Sequence, residues 1–69
     1  MQHARLDKWH IKQYENGTFG LVGIVSSHPD TIGCPDGTLV YTSRLQGIDF
    51  KEGCALTMNT EYDLGKPAA

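Results

Sequence analysis

The sequence predicts an all-β domain: five to six short antiparallel strands forming a small, partly open barrel or curled sheet. Three observations carry this expectation. Residues 38–42, Thr-Leu-Val-Tyr-Thr, are the most β-prone run of the chain and suit a pleated, half-buried surface. Asn16-Gly17 stands between two alternating runs, which is the strongest short-range hairpin signal. Further short runs follow at regular spacing, joined by Gly-bearing turns.

Taken in order, residues 1–8 are polar and mixed, and read as a flexible arm or a short turn. A single β domain is expected over 9–65, with a tail at 66–69. The first strand starts at Trp9, with Trp9, Ile11 and Gln13 alternating against His10, Lys12 and Tyr14. Asn16-Gly17 then fits a type I′ turn. The run 18–26 is apolar on both faces, which marks a central strand, and Gly20 and Gly23 invite a bend. Residues 27–37 hold two Pro, two Gly and two Asp, and form a long connection of the kind that often carries function. After the strand at 38–42, Ser43-Arg44 reads as a bulge or corner. A strand at 45–50 turns at Lys51-Glu52-Gly53 and pairs back through 54–59, with Cys54, Leu56 and Met58 inward. Tyr62-Asp63-Leu64 is a short last strand.

Sixty-nine residues lie near the lower limit for a self-sufficient core, so a homodimer or a bound partner would relieve a thin interior. The net charge is -2 and uneven. Residues 1–13 carry three cations against one acid, whereas 14–69 carry Arg44, Lys51 and Lys66 against seven acids. That balance argues against general nucleic-acid binding, which needs clustered Lys and Arg, and suits a partner with a basic surface. No apolar run approaches the ~20 residues that cross a bilayer, and no hydrophobic leader precedes the domain. A cytoplasmic protein with reduced thiols is the expectation.

Candidate chemistry is sparse. His28, Cys34 and Cys54 would supply three metal ligands, but zinc sites show paired ligands at close spacing, and a fourth would have to come from His3 or His10. No metal and no cofactor is expected. Cys54 reads as a small core residue and Cys34 as a loop thiol. A disulfide between them, closing a loop worth roughly 3 kcal/mol, is the alternative in an oxidising compartment. Cys34 and His28 share one loop, yet no pattern supplies the oxyanion donors of a nucleophilic site, and no catalytic residue is assigned. Trp9, Tyr14, Phe19 and Tyr41, with Lys8, Lys12 and Arg44, would make a base-stacking platform. The competing reading places Trp9 and Phe19 in the core of so small a domain.

Pro-Asp-Gly-Thr at 35–38, Thr-Ser at 42–43 and a closing Tyr62-Asp63-Leu64-Gly65, together with His28-Pro29, resemble a group of short proteins encoded by phages, prophages and mobile elements. The resemblance covers residues 28–65, with 30–35 looking like an insertion. It implies a phage accessory protein, of the kind that blocks a bacterial defence such as CRISPR, and transfers no catalytic residue. The expectation is therefore a small acidic protein that covers a basic surface of a protein partner. Its contacts are expected at Asp30, Asp36, Glu61 and Asp63, with Arg44 beside them. The alternatives are a nucleic-acid-binding barrel using Trp9, Tyr14, Tyr41, Lys12 and Arg44, and a ligand-binding or enzymatic domain using the His28–Cys34 loop.

Overall fold

The computed structural model describes residues 2–68. They form six strands: β1 Gln2–Gln13, β2 Phe19–Ser26, β3 Thr38–Tyr41, β4 Gly47–Asp49, β5 Cys54–Leu56 and β6 Thr60–Leu64. The strands belong to one sheet in the order β3-β2-β1-β6-β5-β4. The all-β fold is thus as expected, and the sheet is curled and open.

The curl follows from chain length. β3 and β4 are the outermost strands, yet only residues 42–46 connect them. A flat sheet of six strands would separate its edges by about 24 Å. The six Cα steps from Tyr41 to Gly47 reach about 21 Å when fully extended. The sheet must bend, and the connector is hydrogen-bonded to both sides of the bend. Thr42 and Leu45 donate their N–H groups to Leu21 and Phe19 of β2, and Gln46 donates to Leu56 of β5.

The expected all-antiparallel order is corrected at one pair. β1 and β6 run parallel, with Ala4 opposite Tyr62 and Leu6 opposite Leu64. The other pairs are antiparallel. β3 and β4 keep one direction, so the chain reverses four times between β1 and β6 and returns to its first heading.

The expected arm over 1–8 is also corrected: from Gln2 onward it is strand, paired with both β2 and β6. Ala4 and Leu6 point inward and are buried, while Trp9 also packs against the core. The inward parity therefore slips between Leu6 and Trp9. Lys8 absorbs the slip at φ 50°, inside a bulge between Asp7 and His10. Residues 66–68 of the expected tail dock here too. Lys8 donates to Lys66 O at 2.6 Å, and Ala68 donates to Trp9 O at 2.8 Å. Residue 69 lies outside the described residues.

Ala4, Leu6, Leu21, Val25, Ala55 and Tyr62 make the core. Leu6, Leu21 and Val25 are fully buried, each worth about 1.5–3 kcal/mol by area. Phe19 and the expected inward set of β5, Cys54, Leu56 and Met58, are not part of the core. Phe19 sits at the start of β2, beyond the core, and is 48% exposed. In β5 the parity is opposite to that expected: Ala55 and, beyond it, Thr57 are buried, while Met58 is exposed. The cause is register, since Ala55 pairs with inward Tyr62 and Ile48.

The first hairpin sits where Asn16-Gly17 places it, with a different turn. Gly17 has φ +86° and Asn16 is not left-handed, so the loop is the three residues 15–17, not a two-residue type I′ turn. Gly17 donates to Tyr14 O, and Asn16 Oδ1 accepts from the N–H and hydroxyl of Thr18. Beyond the turn, Gly20 lies beneath Tyr14: a Cβ there would come within 2.7 Å of the ring. Tyr14 uses that space to donate its hydroxyl to Thr42 O at 2.6 Å. Gly17→Val should lose about 1–2 kcal/mol through the left-handed backbone, seen as a lower Tm. Gly20→Ala should lower Tm as well by displacing Tyr14. Unchanged melting of both variants would contradict this account of the hairpin.

Candidate functional site

The expected contact acids divide into two sets with different work. Asp30 and Asp36 brace the long loop. Asp36 Oδ1 accepts from Ser27 N at 2.8 Å, which holds the two ends of the loop together. Asp30 Oδ1 accepts from Gly33 N at 2.9 Å, and Asp30 O accepts from Cys34 N. These side chains support the backbone of residues 27–37, as short polar side chains do in turns.

Glu61 and Asp63 lie on the outer face of β6, away from buried Thr60 and Tyr62. Register builds the surface around them. Cys54 and Asp63 are opposite each other, as are Leu56 and Glu61, and Asp49 of β4 is opposite Cys54. Glu52 comes from the turn between β4 and β5. Burial pushes the Cys54 thiol up, and the charges of Glu61, Asp49, Glu52 and Asp63 push it further. Four carboxylates thus surround one half-buried thiol. Asp49 and Glu52 were not among the expected contacts. Their signal in the sequence is parity: once Cys54 is known to face outward, its cross-strand partners Asp49 and Asp63 follow.

The cations near this face are few. Over residues 47–64 the four acids meet only Lys51. On neighbouring β1, His3 approaches Glu61 at 3.3 Å, and Arg5 turns to Asp7 at 3.1 Å. That bond and the N–H of Lys66 hold the Asp7 carboxyl below its usual value against a smaller opposing effect of burial. Arg44 is exposed on the 42–46 connector, outside the strands β4 to β6 that carry these acids.

The aromatic set is dispersed. Trp9 donates its indole N–H to Gly65 O at 3.0 Å and stacks on Phe50 at 6.4 Å. Tyr14 is tied to Thr42 as described. Tyr41 is exposed on the outer face of β3, and Phe19 is exposed at the start of β2. Trp9 and Tyr14 therefore hold the fold together, and the four rings share no platform.

A cleft of about 580 Å³ lies between the long loop, β3 and the start of β6. Cys34 and His28 both line it. His28 Nδ1 accepts from Asp30 N at 3.0 Å, which leaves the proton of the neutral ring on Nε2. Both thiols are free, and the described residues hold no group of three or more His, Cys, Asp or Glu able to share a metal ion. No helix among the described residues is long and apolar enough to cross a membrane.

No family model, curated protein or solved structure matches this chain.

The acidic surround makes a measurable prediction. The Cys54 thiolate should appear only above the pH at which an ordinary thiol ionises, because desolvation and four negative charges disfavour it. Alkylation of Cys54 by iodoacetamide, followed by peptide mass spectrometry across the alkaline range, should rise late. Glu61→Gln combined with Asp63→Asn should move that rise to lower pH. No movement would mean that the carboxylates do not act on Cys54.

Proposed function

We propose that this protein is a non-catalytic interaction module whose acidic outer face, Asp49, Glu52, Glu61 and Asp63 on β4 to β6, docks on a basic surface of a protein partner. The observation that carries the reading is the convergence of these four carboxylates from three elements on one face, around Cys54. Complementary charge of this kind steers encounter and fixes register more than it adds affinity. The face is built on paired strands, so it is preformed and binding needs little ordering.

The resemblance to short phage-encoded proteins supports a finer reading within the same proposal. The partner is a bacterial defence complex, and the protein acts in the host cytoplasm by covering a basic site that the complex uses for nucleic acid or assembly. A reducing cytoplasm would keep Cys34 and Cys54 as thiols, the state in which they stand here. Nucleic acid is the less suitable ligand, because Lys8 and Lys12 lie on β1 on either side of its bulge, Arg44 lies on the 42–46 connector, and two of the four aromatics are engaged internally.

Capture from a host lysate would supply the partner, and stopped-flow association would test the surface. Glu61→Lys with Asp63→Lys should slow association about tenfold at low ionic strength and flatten its salt dependence, with an unchanged circular dichroism spectrum. Reversal of Asp30 and Asp36 should instead disorder the 27–37 loop, because both are internal acceptors. A titration against single- and double-stranded DNA and RNA at physiological salt is the counter-test. Tight, salt-sensitive binding that disappears with Lys12→Ala and Arg44→Ala would sink the proposal.

A further inference from the structure

β3 is an edge strand with an open side. In its ladder with β2, Thr42 donates to Leu21 O, and the antiparallel alternation then directs the backbone groups of Val40 toward β2 as well, while at the start of the strand Gly37 donates to Val25 O and Thr38 donates back to Pro35 O. Those of Leu39 and Tyr41 point the other way. No described residue accepts from or donates to them. Such a row is a template for another strand.

The 580 Å³ cleft runs along this edge. Its far wall is Gln2, Asn59 and Thr60, and the loop residues His28, Asp30 and Cys34 close one end. The volume falls within the range of ordinary ligand pockets, about 300–1,000 Å³. The walls are polar and carry one carboxylate, Asp30, with no Lys or Arg. Asp30 Oδ1 is engaged by Gly33 N, and its second oxygen accepts from no described residue.

We propose that this cleft binds an extended peptide segment of a partner protein, which adds to β3 as a strand and places a Lys or Arg against Asp30. Main-chain bonds to Leu39 and Tyr41 supply affinity, and the polar wall and Asp30 supply selectivity. Charge decides between occupants. The same strand of a second copy, Thr-Leu-Val-Tyr, brings no cation to Asp30. The site is separate from the acidic face: Thr60 and Tyr62 line the cleft, whereas Glu61 and Asp63 lie on the opposite side of β6. Either surface can therefore fail without the other.

The test is a titration of the ¹⁵N-labelled protein with acetyl-Lys-Thr-Val-Thr-Val-amide and with the same peptide carrying Glu for Lys. Before addition, the Leu39 and Tyr41 amides should exchange rapidly with solvent and Val40 slowly. The lysine peptide should shift and protect Leu39 and Tyr41 saturably, and bind about fivefold more tightly than the glutamate peptide. Asp30→Asn keeps an acceptor for Gly33 and should equalise the two. Leu39→Pro removes an outward N–H without touching a bond to β2, and should weaken binding about tenfold while the remaining amide spectrum is retained. Equal affinity for the two peptides, absence of saturation, or shifts confined to Cys54, Glu61 and Asp63 would overturn the proposal. So would a concentration-dependent dimer that protects Leu39 and Tyr41 without peptide, which would give the edge to a second copy.

Discussion

The tether between the two outermost strands governs the rest of the molecule. Because residues 42–46 must reach from β3 to β4, the sheet cannot lie flat, and its concave side becomes an interior. Six residues fill that interior. The tether is itself anchored: Thr42 is buried, its hydroxyl accepts from Leu21 N and donates to Ser43 O, and its carbonyl accepts from Tyr14. Tyr14 reaches it only because Gly20 has no side chain. The first hairpin thus helps fix the corner at which the sheet folds over. Every buried side-chain polar atom among the described residues has a partner, which so small a core requires.

Much of this fold was legible, and the failures have physical causes. The Asn-Gly turn, the central position of β2 and the 51–53 turn follow from local rules, because their signals lie within a few residues. β1 was only half legible. Its phase slips at Lys8, so Ala4 and Leu6 belong to one inward series and Trp9 to another, and no single period covers both. Polar neighbours then made 2–8 look like an arm. β5 failed for the opposite reason. Cys54, Ala55 and Leu56 are all apolar, so alternation has nothing to choose between, and the parity is set by Ile48 and Tyr62 across the ladder. The parallel β1–β6 pair depends on counting reversals, which requires knowing that β3 and β4 keep one heading.

The candidate sites follow the same division. Charge counting found the acidic excess but not its arrangement, since it weights Asp36 and Asp63 equally. Asp36 holds Ser27 N, whereas Asp63 faces outward on a strand. An Asp within a Gly- and Pro-rich loop has backbone N–H groups close enough to capture its side chain. Within a strand, as at Glu61 and Asp63, the neighbouring N–H groups are engaged in the ladder and the carboxylate stays available, whereas Asp49 at the end of β4 accepts from the N–H groups of the turn that follows. Strand acids are the better indicators of a surface, and register is what assembles them.

One strand ends up serving both sides of the molecule. Along β6, Thr60 and Tyr62 face inward and Glu61 and Asp63 face outward, and the two-residue repeat keeps them apart. The sheet's two edges differ in a way that sharpens the asymmetry. β4 is three residues long and ends in Asp49, whose Oδ1 accepts from the N–H groups of both Lys51 and Glu52, so the chain turns away at once. Short, charged edges resist adding a strand. β3 carries no charged residue, exposes Leu39 and Tyr41, and has a polar cleft beside it instead of a covering element. The 27–37 loop, braced by its two aspartates, bounds that cleft, which limits how much chain can lie along β3. An edge open to a peptide yet partly walled against a whole sheet is a workable compromise between recognition and aggregation.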